Sequence, residues 1–150
     1  MDNKDKNILA IGLGFTLITV SNIIGHFAAP FSIFVTPILL TIIIAGINSH
    51  LYKSNFLLTV LYNFGLLLFN DLFIRFYAGG THDQEGKGWI FLFFAIAFIL
   101  AFITMTIYSF TPAVNQNKTS KTKNVLTNIF TLLIFTTLTG LIYYYVIADI

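Results

Sequence analysis

At 150 residues the chain has the length of one soluble domain, yet 57% of it is hydrophobic and only 9% charged, with mean hydropathy +0.85, where soluble domains carry roughly 25% charged residues. A soluble fold has no interior large enough for that much apolar surface, which excludes that class. The absence of cysteine excludes disulfides, thiolate nucleophiles and iron-sulfur clusters, and a net charge of +2 with no basic patch interleaved with aromatics excludes nucleic-acid binding.

The apolar residues are gathered into runs near the ~20 residues that cross a ~30 Å hydrocarbon core. The first run, Asn7 to Ile24, follows a polar start carrying Lys4 and Lys6. Together they resemble the opening of a secretory signal, but Gly25-His26-Phe27-Ala28 lacks small residues at both cleavage positions, so the run reads as an uncleaved first span. The second, Phe31 to Ile47, comes so soon afterwards that the two form an antiparallel hairpin, with Pro37 as a packing kink. A short polar link holds His50, read as solvated, and Lys53.

The third run, Asn55 to Phe76, is the least hydrophobic, because Asn63, Asn70, Asp71 and Arg75 interrupt it. Its Leu, Phe, Val and Ile residues still contribute roughly −4 to −8 kcal/mol to insertion, against about +3 for a central Asp. It therefore inserts with its polar side turned inward. The loop Tyr77 to Gly88 follows, then the fourth run, Trp89 to Phe110. Thr111 to Asn124 reads as a solvated loop with Lys118, Lys121 and Lys123, and the fifth run, Val125 to Ala148, ends near Tyr143-Tyr144-Tyr145.

This pattern predicts a single all-α domain over residues 1–150, an integral membrane bundle of five transmembrane helices. With five spans, Lys4, Lys6, Lys53, Lys118, Lys121 and Lys123 share one face and only Arg75 and Lys87 lie on the other. The positive-inside rule then places the amino terminus in the cytoplasm and the carboxyl terminus outside. Tyr77, Trp89 and the tyrosine triplet mark the outer interface as an aromatic belt. Abundant Lys, Ile, Phe and Asn fit an AT-rich bacterial genome, so the expected location is the bacterial plasma (inner) membrane.

Candidate chemistry is concentrated in the third run and the loop after it. Thr59, Asn63 and Asn70 fall within about 40° of one another on a helix. Asp71 and Arg75 lie beside that stripe at the i, i+4 spacing that favours an acid preceding a base. Ionisable groups at membrane depth mark a function or a structural pair. In the structural reading Asp71 neutralises Arg75, which snorkels to the outer interface, and the asparagines bond across to Thr16, Thr19 or Asn22.

The loop Gly79 to Gly88 fails as a phosphate loop, having five residues between Gly80 and Gly86 and no hydroxyl after Lys87, and it lacks the alternating ligands of a calcium loop. His82, Asp83 and Glu85 with His26 form a candidate outer-face metal or ligand site by donor chemistry alone; without a recognisable ligand spacing the bland reading is a solvated, glycine-rich turn. Asn117-Lys118-Thr119 falls on the predicted cytoplasmic face and is a chance sequon. Gly12 with Thr16, Thr41 with Ala45, Ala97 with Ala101, and Thr127 with Thr131 have small-residue spacings suited to close helix packing.

No nucleophile stands with a base and orienter, so nothing supports an enzyme, and no cofactor is indicated. The leading expectation is a non-enzymatic membrane protein that packs against itself or a larger membrane partner within the lipid bilayer. The alternative is a small-solute or ion transporter, or channel-like protein, using the polar face of the third run.

Overall fold

A computed structural model describes residues 3–28, 56–77, 84–111 and 121–148. Among these residues the chain is helical throughout, with no strand: α1 (Asn3–Phe27), α2 (Phe56–Phe76), α3 (Gln84–Ser109) and α4 (Lys121–Ile142), which runs on into a π-helical turn, Tyr143–Ile147. The reason is physical: in hydrocarbon no water is available to the peptide groups, and only a helix satisfies them within one segment. α2, most of α3 (Glu85–Ser109) and α4 with its π turn (Asn124–Ile147) are each long and apolar enough to cross a membrane. α1 has 25 residues, of which Ile11–Phe27 form a shorter apolar stretch. The second expected run, with Pro37, and the link with His50 lie outside the described residues.

The helices exceed the apolar runs at their polar ends. α1 begins at Asn3 rather than Asn7, α4 takes in Lys121 to Asn124, and α3 takes in Gln84 to Gly88, so Glu85, Gly86, Lys87 and Gly88 are helical rather than part of the expected loop. Apolar run length marks where the hydrocarbon ends, whereas helical hydrogen bonding continues into the interface. At α3 the acidic Glu85 in the first turn also suits the positive end of the helix dipole.

Cross-helix contacts set the directions. Gly14 meets Tyr62, Asn22 meets Asn70 and His26 meets Tyr77; both numbers rise together, so α1 and α2 run parallel. Asn63 meets Met105 while Phe64 meets Phe98, so α3 runs antiparallel to α2. Phe94, early in α3, stacks on Tyr143, late in α4, so α4 returns to the direction of α2.

α2 is the central element: 56% of its span is buried, against 28% for α3 and 17% for α4. One face, with Phe56, Val60, Phe64 and Leu67, joins Ala97, Ala101 and Met105 of α3 and Leu132 and Tyr143 of the α4 segment. Another, with Tyr62 and Leu66, packs on Ile18 of α1. Of the expected small-residue pairs, Ala97 and Ala101 are buried as close packing requires. Gly12 and Thr16 are exposed, and the α1 face that is buried carries Gly14, Ile18, Ser21, Asn22 and Gly25 instead. Thr127 is exposed and Thr131 half-buried, while Thr41 and Ala45 lie outside the described residues.

Candidate functional site

The i, i+4 spacing on α2 brings Asp71 and Arg75 into contact. Arg75 Nε donates to Asp71 Oδ2 at 2.7 Å, and the two side chains are 1–3% exposed. A third group from far along the chain completes the cluster: Arg75 Nη2 donates to the Tyr143 hydroxyl at 3.1 Å, and that hydroxyl donates to Asp71 Oδ1 at 3.4 Å. Arg75 Nη1 also reaches the Ala148 carbonyl at 3.5 Å, so the guanidinium caps the end of the π turn, where cations are favoured by the helix dipole. Phe94 holds the tyrosine in place, its ring stacked on Tyr143 with centroids 3.8 Å apart and planes 6° from parallel.

This arrangement corrects the expectation for Arg75. Instead of reaching outward from the bundle it turns inward, where two oxygen acceptors on the α4 segment and one on its own helix receive its donors. Tyr143 departs from the expected outer belt, since it is buried in the bundle, while Tyr144 and Tyr145 are exposed at 66% and 74%.

The asparagines divide between two neighbours. Asn22 Nδ2 donates to Asn70 Oδ1 at 3.0 Å and to its own Ile18 carbonyl at 2.9 Å, so the α1 to α2 bond expected for Asn22 is present. Thr16 and Thr19 instead bond back to the Gly12 and Phe15 carbonyls of α1. Asn63 reaches the opposite neighbour, donating to Met105 Sδ at 2.8 Å. It lies two turns before Asn70 on α2.

At the end where α1 and α2 stop, His26 Nδ1 faces the Tyr77 carbonyl at 2.8 Å and the two rings stack with centroids 4.8 Å apart. Of the candidate ligands around it, His82 and Asp83 lie outside the described residues, and Glu85 is exposed on the first turn of α3. Among the described residues no group of three or more His, Cys, Asp or Glu side chains is gathered where it could hold a metal.

Set beside protein-family models, curated proteins and solved structures, the chain matches none of them. The chemistry of the site therefore has to be taken from its geometry. A carboxylate, a guanidinium and a phenol close a triangle whose formal charges cancel, and two hydrogen bonds donated by asparagine side chains tie α2 to α1 and α3. Sequence reading missed Tyr143 and Met105. The available signal was the buried i, i+4 pair itself, since a charge pair at membrane depth needs further hydrogen-bond partners, and buried phenols are suited to supply them.

Proposed function

We propose that the chain is a non-enzymatic, multi-pass protein of the bacterial plasma membrane, with five crossings and a cytoplasmic amino terminus, which acts by packing against a second copy of itself or a larger membrane protein. The observation that carries the reading is the closure of Asp71, Arg75 and Tyr143 on one another. Their hydrogen bonds run to one another and to the Ala148 carbonyl, holding α2 to the α4 segment in the way polar groups glue helices in lipid.

The helix directions support the five-span part. α1 and α2 run parallel, and the apolar run Phe31 to Ile47 lies between them in the sequence. The starts of α1, α2 and α4 then share one end of the bundle, and Lys4, Lys6, Lys53, Lys121 and Lys123 lie in or beside those starts. That is the charge asymmetry of a cytoplasmic face.

Native mass spectrometry of the protein released from lipid nanodiscs tests the functional reading. The expected spectrum shows a dimer or larger assembly, or a stoichiometric membrane partner carried through purification. A lone monomer under conditions that preserve known membrane oligomers would count against it.

A second reading, a solute or ion pathway along α2, is favoured by one feature: Asn70 and Asp71 border a crevice between α2 and α3. The buried layer of Phe64, Leu66 and Leu67 between Asn63 and Asn70 opposes a continuous polar path.

A further inference from the structure

The end of α4 departs from regular helix where it meets Arg75. Tyr143–Ile147 form a π-helical turn, closed by the Ala148 amide, which donates to the Tyr143 carbonyl at 2.8 Å, five residues back. Such turns are rare and occur mostly as single turns within α-helices, frequently at functional sites. The local sequence does not ask for one, since Tyr143-Tyr144-Tyr145-Val146-Ile147 holds neither glycine nor proline. The cause lies in what the turn touches.

Arg75 touches it twice. Nη2 donates to the Tyr143 hydroxyl at 3.1 Å and Nη1 to the Ala148 carbonyl at 3.5 Å, while Nε holds Asp71 Oδ2 at 2.7 Å. The two contacts on the α4 segment are thus five residues apart. In an α-helix each residue turns by about 100°, so the residue five places on lies about 140° round from the first. In a π turn the i to i+5 bond brings that residue back nearly over the first. Tyr143 and Ala148 do share a side here: Tyr143 is buried, and Ala148 packs against the same core of α2, α3 and α4 residues. Ile147, also buried in that core, does not need the wider turn, because a regular helix would place it only about 40° from Tyr143. What the π turn adds is Ala148.

We propose that the π turn is a latch made by the guanidinium fork: Arg75, fixed by Asp71, holds Tyr143 and Ala148 on one side of the segment, and without the fork the segment continues as a regular α-helix with Ala148 turned away from α2. A switch of this kind needs a change of charge or packing and an element with two arrangements. The Asp71–Arg75 pair is the first and the last turn of α4 the second. The latch does not depend on what the chain docks against.

The bond that closes the turn can be read directly, from the scalar coupling between an amide nitrogen and the carbonyl carbon that accepts its hydrogen bond. In the full-length protein, labelled with nitrogen-15, carbon-13 and deuterium and held in lipid nanodiscs, Ala148 N is expected to couple to the Tyr143 carbonyl. Coupling to any other carbonyl, or to none, overturns the proposal. Asp71→Leu/Arg75→Leu removes the fork without leaving a lone charge, and there the coupling is expected to pass to the Tyr144 carbonyl, four residues back. Retention of the Tyr143 coupling, or loss of both, overturns the latch. If the double variant does not fold, Arg75→Lys decides in its place: lysine keeps a cation opposite Asp71 but presents one nitrogen instead of a planar fork. The same passage to Tyr144 is expected, and either contrary result again overturns the latch.

Discussion

Asp71 and Arg75 are each other's charge partner and both side chains are buried, so the loss of either leaves the other's charge buried without that partner. Breaking a buried pair from one side costs about 3–5 kcal/mol, while replacing both partners with apolar residues can be nearly neutral. Asp71→Leu and Arg75→Leu are therefore each expected to lower the unfolding temperature of the reconstituted protein, and the double variant to recover much of the loss. The coupling in the double-mutant cycle should exceed ~1 kcal/mol; small, additive losses would instead favour the hydrated-pathway reading. Tyr143→Phe keeps the ring on Phe94 and removes only the hydroxyl, so an intermediate loss of about 1–3 kcal/mol is expected from the same melts. At this scale the acid–base pair was legible in the sequence, because helical periodicity alone brings i and i+4 together. Its third member was not. Three consecutive tyrosines look alike on paper, and only the position of the α4 segment against α2 selects Tyr143.

Between elements, the α1 to α2 contact is set by the lack of a side chain at Gly14. A Cβ there would collide with the Tyr62 hydroxyl and come within 2.9 Å of Leu66 Cδ1. Gly14→Ala is expected to cost about 1–3 kcal/mol through this overpacking, and less in a Tyr62→Phe background, where the first obstruction is gone. Gly12→Ala is the control: nothing lies within 4 Å of the Cβ it would add, so the melting temperature should barely move. On the same face, Asn22→Leu removes the bond to Asn70 and is expected to cost about 0.6–2 kcal/mol, the range for polar bonds between membrane helices. A loss well above that range would show that Asn22 supports more than one bond. The sequence suggested small-residue contact for α1 at Gly12 and Thr16. Gly12 and Gly14 lie two residues apart, about 200° around the helix and so on nearly opposite faces, and a spacing rule cannot say which of the two meets the neighbour.

The whole molecule is tested by its sidedness. Under the proposed orientation, alkaline phosphatase fused after Ile150 should be active in cells and the same enzyme inserted near Lys121 inactive. The reverse pattern removes the five-crossing, amino-terminus-inside arrangement, and equal activity at both sites would mean that α4 does not cross. The parallel run of α1 and α2 makes the outcome sharper than charge counting does, since it ties the starts of α1, α2 and α4 to one end of the bundle through observed contacts.

Composition and run length were enough to anticipate that the described residues are all helical, with helices able to span a membrane, and to single out α2 as the polar one among them. Both are properties of stretches of about 20 residues, the length over which hydrocarbon thickness acts. The partners were decided only in three dimensions: Tyr143 for Asp71 and Arg75, Met105 for Asn63, Gly14 rather than Gly12 for Tyr62, and the crevice beside Asp71. The reason lies in the solvent. In water a helix shows its buried face by being apolar on that side alone, but here the exposed faces are apolar too, as Ile99, Ile103 and Phe130 show, which is the pattern of helices able to cross a membrane. Which face meets which is then settled by shape and by hydrogen bonds between residues far apart in the chain, and those exist only once the helices have packed.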